Sequence, residues 1–445
     1  MMDGTPRERP ERDRPFDPSK VAAGEGAASL VTSFLRIVDS VASRKRARRG
    51  DDQKRHVDMA SALVLDLAHL WVTAPEGWLA VSLQKGFYSP ERRQAGFLTE
   101  KFIDLVNLLA AAGVLELRRG FQGAMGAGRR TTIRAGTQLK HLFAAADVMH
   151  SDIGRNRKLL RDCLVLKSRK VRGKATRLRV PDNELTRALR ADVESINDWI
   201  ALADLSWAGD EREDGIDLGD RFVWRTFNNG SFEDGGRLFG GFWHRKDRLE
   251  CVFFGDQPAV SLDYGQMGVR SAYSMAGAVP PPGDLYEVPG LEGYRSGVKT
   301  LLSALLAADR IPTRMPKRIR SEDLFPPVVT FGRAYRAIEQ HHEPIKHLFG
   351  TSLCYRQMYE ESCLLVDILL RLMDQGVVAL PVHDCILIGQ QNMTIAEQTM
   401  KELFEGRFGI EAVVDVSFPT STITLNPSVT IGLTSDSPIE GAVSL

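Results

Sequence analysis

The chain has 445 residues, 43% of them hydrophobic and 26% charged, with a formal net charge of +1 at pH 7. That length allows two or three domains with buried cores, and the near-neutral total leaves information about partners to the distribution of charge. No run approaches the roughly eighteen apolar residues of a membrane helix, the opening MMDGTPRERPERDRPFDPSK is too polar for a secretory leader, and five cysteines without CxxC spacing argue against a zinc site or a disulfide framework. No membrane partner is expected, and a reducing, cytoplasmic setting fits.

Residues 1–27, rich in Pro, Arg and Asp, predict a disordered arm. From 28 to 150 the pattern is helical: LVTSFLRIVDSVA and MASALVLDLAHLWVT carry apolar residues at three- and four-residue spacing. A first basic cluster, 44-RKRARR-49, lies between them. Further on, 97-FLTEKFIDLVNLLAAAGVLELRRGF-121 and 129-RRTTIRAGTQLKHLF-143 place a Thr99 cap, an amphipathic helix, a Gly113 stop and two β-prone segments around a Gly-rich turn. This order predicts a winged helix-turn-helix, either a nucleic-acid-binding module or a structural one.

In the next segment, 151–219, 163-CLVLKSRKVRGKATRLRV-180 predicts two strands joined by a basic turn that holds Arg169, Lys170, Arg172 and Lys174. Between Arg155 and Arg179, eleven Lys or Arg stand against the single acid Asp162. Such a run is either solvated surface or a contact for a phosphate backbone, thumb-like or connecting in role. An amphipathic helix follows at 184–203, and the acidic loop 208-AGDEREDGIDLGD-220 predicts a domain boundary. Residues 220–418 mix strand patterns (VSLD, VVALPVHDCILIG) with helical ones at 294–308, 328–349 and 353–376, and a Ser/Thr-rich peripheral tail occupies 419–445. The expected class is α+β.

Two acids in this last block carry the chemistry. Asp263, in 261-SLDYGQMGVRSAY-273, ends an apolar run, where an aspartate by itself would cap the following helix. Asp384 stands beside His383 at a tight turn inside LPVHDCILIG. Two carboxylates brought together need a cation, and Mg²⁺ (or Mn²⁺) is held by one or two carboxylates plus substrate phosphates. Two such ions about 3.5–4 Å apart clamp the attacking and leaving oxygens of a phosphoryl displacement. Arg295 and Lys299, four apart on a helix, share a face that suits a triphosphate or is simply a solvated edge. His341, His342 and His347 are expected on an exposed polar helix face, the alternative being a metal cluster.

The order and spacing of these pieces resemble the palm and fingers of family A DNA polymerases, in which D-Y-S-Q-x-E-L-R, R-x-x-x-K and V-H-D-E supply metal, triphosphate and metal sites in turn. Here the matching stretches are D-Y-G-Q-M-G-V-R at Asp263–Arg270, R-S-G-V-K at Arg295–Lys299 and V-H-D-C at Val382–Cys385, and 235-GGRL-238 is similar to the family's T-G-R-L. Residues 222–243 also resemble compact polymerase-like proteins of bacterial mobile elements and phages, which implies a bacterial cytoplasm or a phage-infected cell. The resemblance covers about residues 220–418 and implies an antiparallel palm sheet with helices and helical fingers. It implies that Asp263 and Asp384 hold two Mg²⁺ or Mn²⁺ ions with the Tyr264 carbonyl, and that Arg295 and Lys299 hold the triphosphate, Lys299 also giving a proton to pyrophosphate. It further implies that His383 contacts the primer terminus and Arg237 the new base pair.

The motifs depart from the family in ways that alter the expected activity. Gly268 replaces the glutamate that fills the space of a ribose 2′-hydroxyl, as glycine does in single-subunit phage-type RNA polymerases, so weak sugar discrimination with NTP use is expected. Ser303 and Ala307 stand where the fingers helix carries aromatics, so low fidelity is expected, and Cys385 replaces the last acid of V-H-D-E. No proofreading nuclease is evident. The resulting expectation is a template-directed nucleotidyl polymerase acting on a DNA or RNA template and primer with dNTP or NTP. A template-independent nucleotidyltransferase and a non-catalytic DNA-binding or replication protein with a degenerate palm are the alternatives.

Overall fold

The computed structural model describes residues 13–42, 48–89, 95–122, 128–149, 152–156, 162–209, 214 and 216–420. Most of the 44–49 basic cluster, residues 1–12 of the arm and the tail from 421 lie outside them. The chain is mixed α and β, and no described helix is long and apolar enough to cross a membrane.

Three apolar cores organise it. The first begins with β1 (Asp13–Pro15), β2 (Lys20–Ala22), α1 (Glu25–Val41) and α2 (Gly50–Thr73). It continues with β3 (Trp78–Ala80), α3 (Lys101–Ala111), β4 (Leu115–Arg118), the short pair β5 (Phe121–Gln122) and β6 (Gly128–Arg129), β7 (Thr132–Ala135), α4 (Thr137–Ala146) and β8 (Ile153–Arg155). Helix α1 buries Ala27, Leu30, Phe34 and Val38, the three- and four-residue stripe read from the sequence. The strands run in the order β1-β3-β7-β4. Gly113, at φ 71°, stops α3: its own N–H and that of Val114 turn back to the carbonyls of Ala110 and Leu109. Thr99 does not cap α3 with its side chain; its hydroxyl is buried without a partner among the described residues, and only its carbonyl receives the Phe102 N–H.

The expected disordered arm is ordered from residue 13 onward. Phe16 stacks on Phe102 with ring centroids 5.0 Å apart, and Lys20 is buried. Around them lies an ionic network: Arg155 reaches Asp217 at 2.6 Å, Asp220 at 3.3 Å and Asp17 at 3.5 Å, while Lys20 and His69 approach Asp217 at 3.4 and 3.2 Å. Arg155 is therefore no phosphate contact, and the acidic loop expected as a boundary anchors the first core to the rest.

The second core runs from Cys163 to Ala412. It is built on β9 (Leu164–Lys167), β10 (Arg177–Leu178), α5 (Glu184–Leu202), β11 (Leu205–Trp207), β12 (Val223–Phe227), β13 (Gly235–Gly240), α6 (Arg248–Cys251), β14 (Val252–Phe254) and β15 (Gln257–Tyr264). After a helical excursion, α7 (Met267–Met275), α8 (Arg295–Ala307), α9 (Lys317–Ser321) and α10 (Phe331–His341), the chain returns through α11 (Cys354–Asp374), β16 (Ala379–Val382), β17 (Cys385–Gly389), α12 (Met393–Phe408) and β18 (Val414–Ser417). One sheet has the order β10-β9-β12-β13; the other is β11-β14-β15-β17-β16, with β18 also paired to β15. Because β9 and β11 enter these sheets, 151–219 is not a separate unit from 220–418. The third core, Val269 to Phe349, belongs to the helical excursion.

The helix expected across 328–349 is broken: α10, capped by Thr330, ends at His341, and Pro344 opens a separate 3₁₀ turn over Glu343–Leu348. His342 is not on an exposed face. It is fully buried, with Nδ1 3.0 Å from the Tyr273 hydroxyl and Nε2 3.0 Å from the Leu285 carbonyl, and burial pushes its pKa down to about 4.

Removing the cation shared by Asp17, Asp217 and Asp220 leaves three neighbouring carboxylates with Lys20 and His69 to offset them. Arg155→Ala is expected to lower unfolding stability by about 3 kcal/mol, read as a shift in denaturant midpoint at constant slope.

Candidate active site

Asp263 stands next to last on β15, and two strands pair with it there. The register sets Asp263 opposite Cys385 of β17 on one side and opposite Asp415 of β18 on the other. Directly opposed residues of antiparallel strands point to one face, so Asp415, Asp263 and Cys385 form a row. Tyr264 faces the other way, its hydroxyl donating to the Met400 carbonyl at 2.7 Å and its ring 5.0 Å from Phe404. Its side chain belongs to the core, and only its backbone is left to serve a site.

Asp384 reaches the same end of the sheet through the tight turn between β16 and β17. Val382 pairs with Cys385, leaving His383 and Asp384 as the two turn residues, with His383 at φ 60°. Burial, with the charges of Asp384 and Asp415 added, pushes Asp263 up to about 6, against the Tyr264 N–H and Lys299, which pull it down. The residue remains open to solvent on one side, which tempers the part due to burial.

Glu361 and Asp415, which the sequence reading did not single out, complete the acidic part. Glu361 projects from α11 and accepts a 2.7 Å ion pair from Arg237 on β13. Burial pushes Glu361 up to about 7; Arg237 lowers it, and Asp384 raises it further. The same Arg237 nitrogen lies 3.9 Å from Asp384, and Arg237 Nε is buried without a partner among the described residues. Arg237 thus bridges the two acids with hydrogen-bonding capacity in hand.

The cations on α8 line up as their spacing predicts. Arg295, Lys299, Ser303 and Ala307 form one exposed stripe, four residues apart. The Arg295 guanidinium and Lys299 ammonium lie 5.3 and 5.9 Å from the centre of the Tyr286 ring. Lys299 acts on Asp263, and Arg295 on Asp415, while Arg295 also forms an ion pair with Asp284. Asp263, Asp384, Arg237, Arg295 and Lys299 are therefore brought into one electrostatic neighbourhood. His383 packs edge-on against Phe239 and His244, with ring centroids 5.8 and 5.2 Å away. Burial pushes the pKa of His244 down to about 4, so that it is neutral.

The remaining site residues fall in instructive places. A Cβ on Gly268 would meet nothing within 4 Å, so the absent side chain leaves open space. A Cβ on Gly265 would lie 2.8 Å from Val413 Cγ1 and 3.0 Å from Asp415 Oδ2, so the serine of the family motif would not fit without a shift. Cys385 is buried, and its thiol donates to the Val382 carbonyl at 3.2 Å. Burial holds it neutral, so it does not stand in for a carboxylate. Arg169, Lys170, Arg172 and Lys174 are all exposed on the β9–β10 hairpin, which turns at Arg172 and Gly173 (φ 49° and 76°) and belongs to the sheet that carries Arg237. No contact among the described residues ties them to the carboxylates.

Among the described residues, no three His, Cys, Asp or Glu side chains close into an ion cage. The carboxylates at this end of the sheet are those of Asp263, Asp384 and Asp415, and carboxylate oxygen is the donor type that a hard divalent cation takes. No protein-family model and no curated protein matches the chain. Among solved structures, the POL domain of Pol1 from M. smegmatis, in complex with DNA primer-template and dNTP, is similar at 11% identity and a TM-score of 0.28, covering 87% of this chain and 69% of that one. A likeness of that size assigns neither family nor activity.

Carboxylates with folded-state pKa values raised to about 6 and 7 hold their protons more tightly than in the unfolded chain, so the metal-free fold loses stability as pH rises from about 4 through 7. Asp384→Asn removes a charge that raises both. It is expected to raise Tm by about 1–3 °C at pH 8 and to give no gain at pH 5, measured by calorimetry in chelator. An equal change at both pH values would contradict the coupling.

Proposed function

We propose that this chain is a template-directed nucleotidyl polymerase that extends a 3′ end on a DNA or RNA template, using dNTP or NTP. One observation carries the reading: Asp263 and Asp384 sit at the same end of paired strands and repel one another, and Asp263 feels the charge of Lys299, which shares a helix face with Arg295 in a separate helical core. Opposed acids and phosphate-binding cations at one place suit in-line phosphoryl transfer, where catalysis is mostly positioning and charge neutralisation.

In this reading Asp263 and Asp384, with the Tyr264 carbonyl, hold two Mg²⁺ or Mn²⁺ ions. Bound there, the ions supply Lewis-acid stabilisation of charge on the attacking and leaving oxygens. Arg295 and Lys299 hold the triphosphate, Arg295 exchanging Asp284 for phosphate oxygen, and Lys299 gives a proton to the departing pyrophosphate. Arg237, held by Glu361, contacts the new base pair with the part of its guanidinium that stays open to solvent. His383, wedged between Phe239 and His244, orients the primer terminus. The exposed Arg169, Lys170, Arg172 and Lys174 track the duplex backbone, and the strand order β3-β7-β4 with its hairpin supports a winged-helix reading of the first core. The open space at Gly268 accommodates a ribose 2′-hydroxyl.

A template-independent transferase is favoured by one feature, the absence of any aromatic ring at Ser303 and Ala307 on the α8 stripe. Primer extension with defined templates, with dNTPs and NTPs in parallel, separates the two. Template-dictated products are expected, and Asp384→Ala should slow extension at least ~10³-fold, about 4 kcal/mol of transition-state stabilisation. Products that ignore the template would favour the second reading, and no extension from either pool would sink both.

The open space at Gly268 yields its own check. Gly268→Glu is expected to fold normally and to shift the dNTP over NTP preference by at least ~10-fold, about 1.4 kcal/mol, in competition assays.

A further inference from the structure

A second feature has no part in the carboxylate site. Beside the β5–β6 hairpin of the first core, a cleft of about 700 Å³ opens between β1, the 3₁₀ turn at Lys85–Tyr88 and the hairpin. Its volume lies within the range of pockets that hold small organic groups. Tyr88 and Leu98 are buried in its floor, while Phe87 and Phe121 line it at 39% and 64% exposure. Arg129 and Arg130 line it too, both exposed and neither in an ion pair among the described residues; no Asp or Glu is among the lining residues.

Single exposed apolar side chains need no explanation, but two phenyl rings at a cleft whose charges, among the described lining residues, are guanidinium groups describe a particular ligand. It is anionic and presents flat apolar faces. The other surfaces of this core are less suited to it. On α3 the outward residues include Asp104, and Lys101 is paired with Asp52 at 2.9 Å. Arg118 and Arg134 are stacked on Trp78 at 3.8 and 4.4 Å, and Arg119 donates to Asn107. Lys85, in the same turn as Phe87, is paired with Glu100 at 3.7 Å, so among the described residues Arg129 and Arg130 are the unpaired cations that line the cleft.

We propose that this cleft binds single-stranded nucleic acid, with unpaired bases stacking on Phe121 and Phe87 and the adjoining phosphates held by Arg129 and Arg130. A duplex hides its base faces within its own stack and shows a protein its phosphates and groove edges, so it gives the two rings nothing to cover. An unpaired strand exposes a π-face at every base, and aromatic platforms with a basic border are the general solution for holding it. The proposal does not depend on the carboxylate site being catalytic. If both hold, the cleft grips the unpaired strand of a template.

The test is fluorescence anisotropy of labelled oligothymidine with the full chain. Stacking contributes about 1–3 kcal/mol per base, so Phe121→Ala should weaken binding at least ~5-fold, and Phe121→Trp should restore it. The Arg129→Ala/Arg130→Ala double variant should lower the slope of log affinity against log salt by about 1.4, two phosphates at about 0.7 each for a single strand. Unlabelled duplex of equal length, and free thymidine monophosphate, should displace the probe at least ~10-fold less well than unlabelled strand. Unchanged affinity in Phe121→Ala, an unchanged salt slope in the arginine variant, or equal displacement by duplex or mononucleotide would each overturn the proposal. The same Phe121 dependence is expected in an Asp384→Ala background, so failure of the polymerase reading and failure of this one are distinguishable.

Discussion

Like charges placed directly across antiparallel strands repel, and here Asp263 and Asp415 are so placed, with Asp384 at the adjacent turn and Glu361 behind it. Much of the neighbouring architecture offsets that repulsion. Helix α8 brings Lys299 and Arg295 from an independent core, β13 brings Arg237 between Glu361 and Asp384, and two of the acids hold their protons to unusually high pH. A sheet selected only for stability would have neutral residues in this row. Retaining unfavourable carboxylates at one end of a well-packed sheet is how proteins trade stability for a site.

The departures from the family A motifs fall into place against the same row. Cys385 is opposite Asp263 but supplies only a buried neutral thiol, whereas β18 contributes the carboxylate of Asp415 from the other side. Gly265 borders the same row, and a side chain there would press on Val413 and Asp415. Gly268 differs: a Cβ there would meet nothing within 4 Å, so packing does not require the glycine.

Elsewhere charge is used to join parts. The Arg155 and Lys20 network fastens the first core to the acidic loop before β12, turning a stretch that reads as a linker into an anchor. Asp217 meets both cations and His69, so its charge is matched locally, as a part-buried charge requires. The basic hairpin at Arg169–Lys174 is exposed, and no ion pair among the described residues engages its four cations.

Much of this was legible in the residues. The stripes of α1 and α8, the Gly113 stop, the VHDC turn and the pairing of Arg295 with Lys299 depend on spacings of two to four residues, and local backbone geometry alone decides which way such side chains point. Glu361, Asp415, the burial of His342 and the part played by Arg155 were not legible. Each depends on which distant segment comes to lie alongside: a glutamate on an amphipathic helix and an aspartate in an alternating strand look like solvent-facing residues until the partner is known. Sequence by itself determined most of the helices, their polarity and the candidate pair Asp263 and Asp384, but not the strands of the N-terminal arm or the break after His341. Only the tertiary structure decided that β18 lies against β15 in the register that sets Asp415 opposite Asp263, because strand register is settled by the packing of whole faces and not by any residue in the row.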